Sequence, residues 1–315
     1  MEFFKSNTAV PFMRQRRIAA IFSAFIFIAS IVSLSINGLN LGLDFTGGTQ
    51  VNVTFAGKVN VPEIREKLVA TFPKVQVQAS NDNSVRIRVA KAKSDDNDQK
   101  HSIIQQLKEL VPANATVNSA ESIGPAVGQQ LLTNGILAVF FSLFLTMLYI
   151  AFRFEYRFAI SAALALIHDP VLILGIFSYF HLEFNMIVLT AVLTVIGYSL
   201  NDTIVVYDRV RENFRSMRKS TANEVMDASI NQTLSRTIMT SGLTLLVVIA
   251  LFIYGGETVH GFALALIIGI VIGTYSSIYV AGSLAISFGL NRKSLLPRSR
   301  FITTATENAK TSHKS

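Results

Sequence analysis

An ionisable side chain inside an apolar run is costly, by roughly 2.5–3.5 kcal/mol on insertion scales, so each such residue is a candidate for function. Asp202 lies in Asn201-Asp202-Thr203, within the apolar stretch from Phe184 to Tyr207. At 1.5 Å per residue it sits about 10 Å inside the boundary marked by Arg209. A carboxyl group there can take up and release a proton, and the change of charge would alter how neighbouring helices pack. Thr190, Thr194 and Tyr198 precede it at four-residue spacing, with Asn201 beside it. Read as one helical face, these residues call for another helix or a wet cavity rather than lipid. The threonines alone read equally well as interhelical glue. Arg236 opens the next apolar run near the same boundary, and antiparallel neighbouring spans would allow its stem to reach Asp202 as an ion pair. A second cluster, His168-Asp169-Pro170, lies eleven residues beyond Phe158, about 17 Å deep. Two readings stand there, a proton relay or side chains that satisfy backbone groups freed by Pro170.

Other chemistries find little support. The chain has no cysteine and five scattered histidines, which removes thiol catalysis, disulfide frameworks and cysteine-based zinc sites and leaves little for any metal. Gly47 and Gly48 in Leu43-Asp44-Phe45-Thr46-Gly47-Gly48 invite a phosphate-loop reading, but no Lys-Ser/Thr follows and the continuation is strand-like. Asp44, Gly47 and Gly48 are read instead as a structural motif, a tight connection from membrane helix to sheet. No nucleophile, nucleotide site or cofactor site remains, so an enzyme is the least supported class.

The elements that must carry these residues follow from composition. Half of the 315 residues are hydrophobic and only 15% are charged, with mean hydropathy +0.45, where a soluble domain carries about 25% charge. Six apolar runs predict membrane spans at 18–36, 135–152, 158–180, 184–207, 237–254 and 261–288. The first is read as an uncleaved anchor, because its length exceeds a signal-peptide core and no small-x-small site follows. Of 28 basic residues, 18 fall in 1–17, 153–157, 208–236 and 289–315, none in the loops 181–183 and 255–260, and ten in 37–134. The asymmetry predicts cytoplasmic termini and an exported segment 37–134. It also accounts for the net charge of +8 without nucleic acid.

Within 37–134 the period changes to two. Val51, Val53 and Phe55 mark a strand, Val75 to Ala79 and Val85 to Val89 a hairpin, and Ala115 to Ser119 a last strand, with helices predicted at Val61 to Leu68 and Ile103 to Val111. The order β-α-β-β-α-β predicts a ferredoxin-like α+β core over 49–121. The cytoplasmic stretch 208–236 carries a capped amphipathic helix, Thr221 to Leu234, expected on the membrane surface or against a soluble partner. In the sixth span Gly261, Ala265, Gly269, Gly273, Ser277 and Ala281 form a small-residue seam for close helix packing, and six helices with this seam on one and a polar face on another suggest a partner bundle. The fold expected is a six-helix membrane bundle with an exported α+β domain.

Together these residues resemble the SecD–SecF protein-export family, of the resistance-nodulation-division superfamily. The likeness covers nearly the whole chain. It is carried by Leu43 to Gly48, by Gly197-Tyr198-Ser199-Leu200-Asn201-Asp202-Thr203-Ile204-Val205-Val206 with Asp208-Arg209 and Arg211-Glu212-Asn213, and by Leu234-Ser235-Arg236-Thr237 with Thr240-Ser241-Gly242. The resemblance implies a six-span half of a pseudo-symmetric pair completed by SecD. It implies a subunit that uses the proton motive force to drive late steps of polypeptide export, with SecYEG, YajC and the translocating polypeptide as partners. It carries proton coupling onto Asp202 and Arg236, and His168-Asp169 fits the family's third-span motif. Two alternatives stay open, a proton-coupled exporter of lipids or small apolar molecules and a non-transporting translocon scaffold.

Overall fold

Long apolar stretches without an internal glycine pair or a run of polar residues become long helices, because helices satisfy their own backbone groups where water is absent. The computed structural model describes residues 10–57, 60–71, 75–81, 83–89 and 115–290. Among these, six helical segments are long and apolar enough to cross a membrane. They are α1 (Arg16–Asn37), preceded by a 3₁₀ turn at Phe12–Gln15, α4 (Pro125–Arg153), α5 (Tyr156–Tyr179), α6 (Met186–Ser216), α7 (Ala222–Tyr254) and α8 (Glu257–Tyr275). The last continues through a π segment, Ser276–Ala281, into α9 (Gly282–Ser287). Helices α5, α6 and α8 form the interior of the bundle, while α1, α4 and α7 leave most of their apolar surface uncovered.

Three helices run further than hydropathy alone suggests, and α6 is one of them, ending at Ser216 rather than at Tyr207. Helix α4 starts at Pro125, behind Gly124, ten residues before the apolar run at 135. Helix α7 is one 33-residue rod, so the amphipathic segment expected as a separate surface helix is its first turns. The reason is local: a Thr221–Glu224 capping box starts the helix, and no proline and no glycine before Gly242 interrupts it. Val225, Met226 and Ile230 do not lie on a membrane surface. They are buried with Phe12, Met13, Tyr207 and Phe214 in a core that ties the helix ends together.

The segment between α1 and α4 holds a short strand β1 (Asn40–Leu41), a single turn α2 (Leu43–Thr46), then β2 (Gly48–Phe55), α3 (Val61–Thr71), β3 (Val75–Asn81), β4 (Ser84–Val89) and β5 (Ala115–Ile123). The four longer strands pair antiparallel in the order β3-β4-β2-β5, which is the order two interleaved βαβ units give. Val51, Val53, Val77, Val85 and Ile87 face Leu68 of α3 in a small apolar core. The second helix predicted, at Ile103 to Val111, lies outside the described residues. Strand β1 pairs in parallel with β6 (Glu183–Phe184), in the connection between α5 and α6.

The small-residue seam of α8 is used inside the chain rather than by a partner bundle. A Cβ on Gly269 would come within 2.2 Å of Val195, and one on Gly273 within 3.0 Å of Ser199, both on α6. Ser277 is buried in the π segment, its hydroxyl donating to Thr274 O at 3.0 Å. Tyr207 Oη donates at 3.0 Å to the carbonyl of Ala281, the last residue of the π segment.

Candidate functional site

Asp202 is 5% exposed, at the place where α6, α7 and α8 meet. Ser241 of α7 donates to its Oδ2 at 3.4 Å, and Thr274 of α8 donates to Ser241 Oγ at 3.1 Å. These partners suit a group that changes protonation. A carboxylate accepts and a carboxylic acid donates, while a hydroxyl can exchange the two roles by rotating, without moving a heavy atom. The ion pair expected with Arg236 is not made: no nitrogen–oxygen approach within 4.0 Å joins the two. Arg236 is exposed on α7, five residues before Ser241.

One turn before Asp202, Ser199 donates to Asp169 Oδ2 of α5 at 2.5 Å. Asp169 is 1% exposed, and its other oxygen accepts from His168 Nδ1 at 2.9 Å. His168 stacks on Phe27 of α1, rings 5.8 Å apart and nearly parallel, and its Nε2 is buried without a hydrogen-bond partner. The chain Phe27, His168, Asp169, Ser199 therefore spans α1, α5 and α6. Neither His168 nor Asp169 bonds the carbonyl that Pro170 frees, so backbone repair is not what these side chains do. Thr203, next to Asp202 on α6, is buried and donates to Ser199 O of its own helix at 3.2 Å.

The single polar face read on α6 splits in two. Four-residue steps advance about 40° each around a helix of 3.6 residues per turn, so Thr190 and Asp202 lie roughly 120° apart. Tyr198 is half-buried and donates to Thr244 of α7 at 3.2 Å. Thr190 and Thr194 are exposed and bond their own helix at Met186 O and Thr190 O. Asn201 is exposed on the same side as these threonines, and Thr240 and Arg236 of α7 are exposed too.

The glycine motif holds the other end of α6. Asp44 Oδ2 accepts from Met186 N at 2.9 Å, capping that helix beside the Asn185 side chain, which accepts from Val188 N at 3.0 Å. Gly47 has φ +67° and lies where a Cβ would meet Pro125 Cα at 2.9 Å, so both conformation and space require glycine. Gly48, φ +121°, turns the chain into β2.

Sequence reasoning passed over Ser199, Ser241 and Thr274, the hydroxyls that touch the acids, and Arg86, Arg88 and Glu183, which join sheet to bundle. Ser199 stands three residues before Asp202, a spacing that shares a helix face, and Glu183 is the only charge in its loop. Those were the available signals.

Residues 102–291 match the family described as Protein export membrane protein SecD/SecF, C-terminal, and residues 32–59 match the SecD/SecF GG motif. A protein translocase subunit SecF from Vibrio alginolyticus is 46% identical over 94% of this chain and 95% of its own. Its counterpart from Escherichia coli O157:H7 is 40% identical, with 90% of each covered. The crystal structure of SecDF, a translocon-associated membrane protein from Thermus thermophilus, superposes with TM-score 0.83 at 35% identity over 91% of this chain. This chain spans 39% of the length of that one.

Proposed function

The chain belongs to the SecD/SecF family of protein-export membrane proteins, and on that premise we propose that it is a proton-driven subunit of a protein translocase, a transport component rather than an enzyme. It works with a SecD-type partner in the bacterial inner membrane, beside SecYEG and YajC, and helps late steps of polypeptide export. Both termini face the cytoplasm, in keeping with the basic-residue asymmetry and an even number of spans. The four-stranded domain then lies on the periplasmic side.

The observation that carries this reading is the burial of Asp202 of α6 beside rotatable hydroxyls from α7 and α8, Ser241 and Thr274. Asp202 alternates between a carboxylate, balanced by Arg236 or by a group of the partner, and a neutral acid. Each change shifts the packing of α6 against α7 and α8, and that bistable packing moves the periplasmic domains. Thr190, Thr194 and Asn201 of α6 with Thr240 and Arg236 of α7 are polar and uncovered within the span region. A polar surface of this kind belongs against another protein, which supports a partner subunit on this side. One proton crossing 100 mV yields about 2.3 kcal/mol, enough to bias an equilibrium about fifty-fold but not to move a long chain in one step. Export therefore proceeds by repeated cycles.

The test is export into vesicles holding the reconstituted complex. Asp202→Asn should abolish the gradient-dependent part of export while leaving assembly intact. Gradient-driven export at the wild-type rate in that variant would end the proposal.

A further inference from the structure

The acid that changes charge and the domain that must move stand at opposite ends of α6. Sixteen residues separate Asp202 from Met186, about 24 Å along an unbroken helix. The proposed function has α6 shift when Asp202 changes charge, and a mechanical role for its far end rests on that reading.

Just before Met186, β6 presents Glu183, and two arginines of the sheet close on it. Arg86 Nη1 donates to Glu183 Oε2, and Arg88 Nη2 donates to Glu183 Oε1 at 2.7 Å. Arg88 Nη1 also donates to Leu41 O at 2.8 Å, on the strand paired with β6, and its Nη2 reaches Gln50 of β2 at 3.4 Å. Residues two apart on a strand point to one face, so Arg86 and Arg88 form a fork on the side of β4 opposite Val85 and Ile87. That polar face is not left to solvent. The side chains of Arg88 and Glu183 are only 8% and 14% exposed, where salt screens far less than at an open surface. Gly42 permits the approach: a Cβ there would lie 2.8 Å from Asn185 Cβ and 3.1 Å from Glu183 Oε1.

We propose that the Arg86–Glu183–Arg88 cluster is the mechanical joint through which displacement of α6 reaches the four-stranded domain. Three features make it a joint and not an incidental ion pair. It grips the residue two positions before the N-cap of α6, so little slack intervenes. Its arginines lie on β4, an interior strand flanked by β3 and β2, so a pull is delivered to the middle of the sheet and not to an edge. And one carboxylate is held by two guanidiniums, each through its own oxygen, which resists rotation as well as separation. Ser84 of the same strand approaches Glu257 of α8 at 3.4 Å, a longer and exposed contact that restrains the domain less.

The chain has no cysteine, so a spin-label pair can be placed at will. Labels at Thr116→Cys on β5 and Thr258→Cys on α8, both exposed, report the domain against the bundle in the complete complex in vesicles. Wild type should give a narrow distance distribution that shifts when a proton gradient is imposed. Glu183→Gln should broaden that distribution at least twofold, remove its shift with the gradient, and cut gradient-dependent export at least tenfold with assembly retained. A distribution that stays narrow and still follows the gradient, or export at the wild-type rate, overturns the joint. If Glu183→Gln does not assemble, Arg88→Lys keeps the cation and loses the fork, and the same broadening is expected of it. The two readings fail separately. No gradient-dependent shift in wild type would sink the proton-driven motor, whereas the width of the distribution without any gradient still judges the joint.

Discussion

At the scale of single residues, the two buried acids of the bundle are held in different ways. Asp169 has one short bond from Ser199 and one from His168, while Asp202 has one long bond from Ser241. Asp169 is thus the firmly bound acid and Asp202 the loosely bound one, in keeping with the change of state proposed for it. Ser199→Ala should remove half of the support of Asp169, a cost of about 1–3 kcal/mol for a buried group losing a partner, read as a lower unfolding temperature in detergent. An unchanged midpoint would mean that His168 alone suffices. A third carboxyl, Asp227, lies in the part of α7 outside the span and accepts from Met13 N at 2.8 Å. Burial pushes its pKa above the ordinary carboxylate value, against the lowering effect of the Met13 and Phe12 amides. A raised folded-state pKa means that the unfolded chain ionises first, so stability falls as pH rises from the ordinary carboxylate value through the raised one. Asp227→Asn keeps an acceptor for Met13 N and should flatten that fall, measured as unfolding temperature between pH 4 and 8. Asp202 and His168 were legible in the sequence because ionisable groups are rare in apolar runs. Their serine and threonine partners were not, because hydroxyls are common in membrane helices and only geometry picks out the few that reach an acid.

At the scale of elements, the seam on α8 and the exposed strip on α6 make opposite predictions for the same kind of substitution. Gly269→Leu places a side chain where Val195 already stands. Overpacking costs about 1–3 kcal/mol or more, and the loss should appear in the isolated chain, as reduced folded yield and lower unfolding temperature. Gly197 is exposed on α6 beside Thr194 and Asn201, and nothing lies within 4 Å of its added Cβ. Gly197→Leu should leave the isolated chain as stable as wild type, or slightly more so, since glycine is a poor helix former by about 1 kcal/mol. The same variant should fail to co-purify with the SecD-type partner. Normal co-purification would place that partner elsewhere. Small residues at four-residue spacing identify a close-packing helix from sequence, but not which helix it packs on. That choice depends on Val188, Val195 and Ser199 matching the seam in register on α6, a three-dimensional fact. The continuous α7 was hidden for a related reason, since hydropathy changes at Thr237 while helix propensity does not.

At the scale of the whole molecule, α6 is the element that links every part. Its outer end is capped by Asp44 and gripped through Glu183, its middle holds Asp202 and Ser199, and its inner end carries Tyr207 and Phe214 into the core shared with Phe12 and Met226. That arrangement has a direction only if the domain and the termini lie on opposite sides of the membrane. The distribution of basic residues favours one orientation, because 18 of them cluster in segments joined to the inner ends of the helices and the two short outer loops, 181–183 and 255–260, hold none. The cysteine-free background permits a direct measurement in intact cells with a membrane-impermeant thiol reagent. Cysteine at Thr116, exposed on β5, should be labelled once the outer membrane is opened, and cysteine at Lys219, between α6 and α7, only after the inner membrane is broken. The reverse pattern would invert the molecule. Asp202, closer to Arg209 than to Met186 along α6, would then lie near the outer surface, and a proton entering down the gradient would meet it at the start of its path instead of near the end.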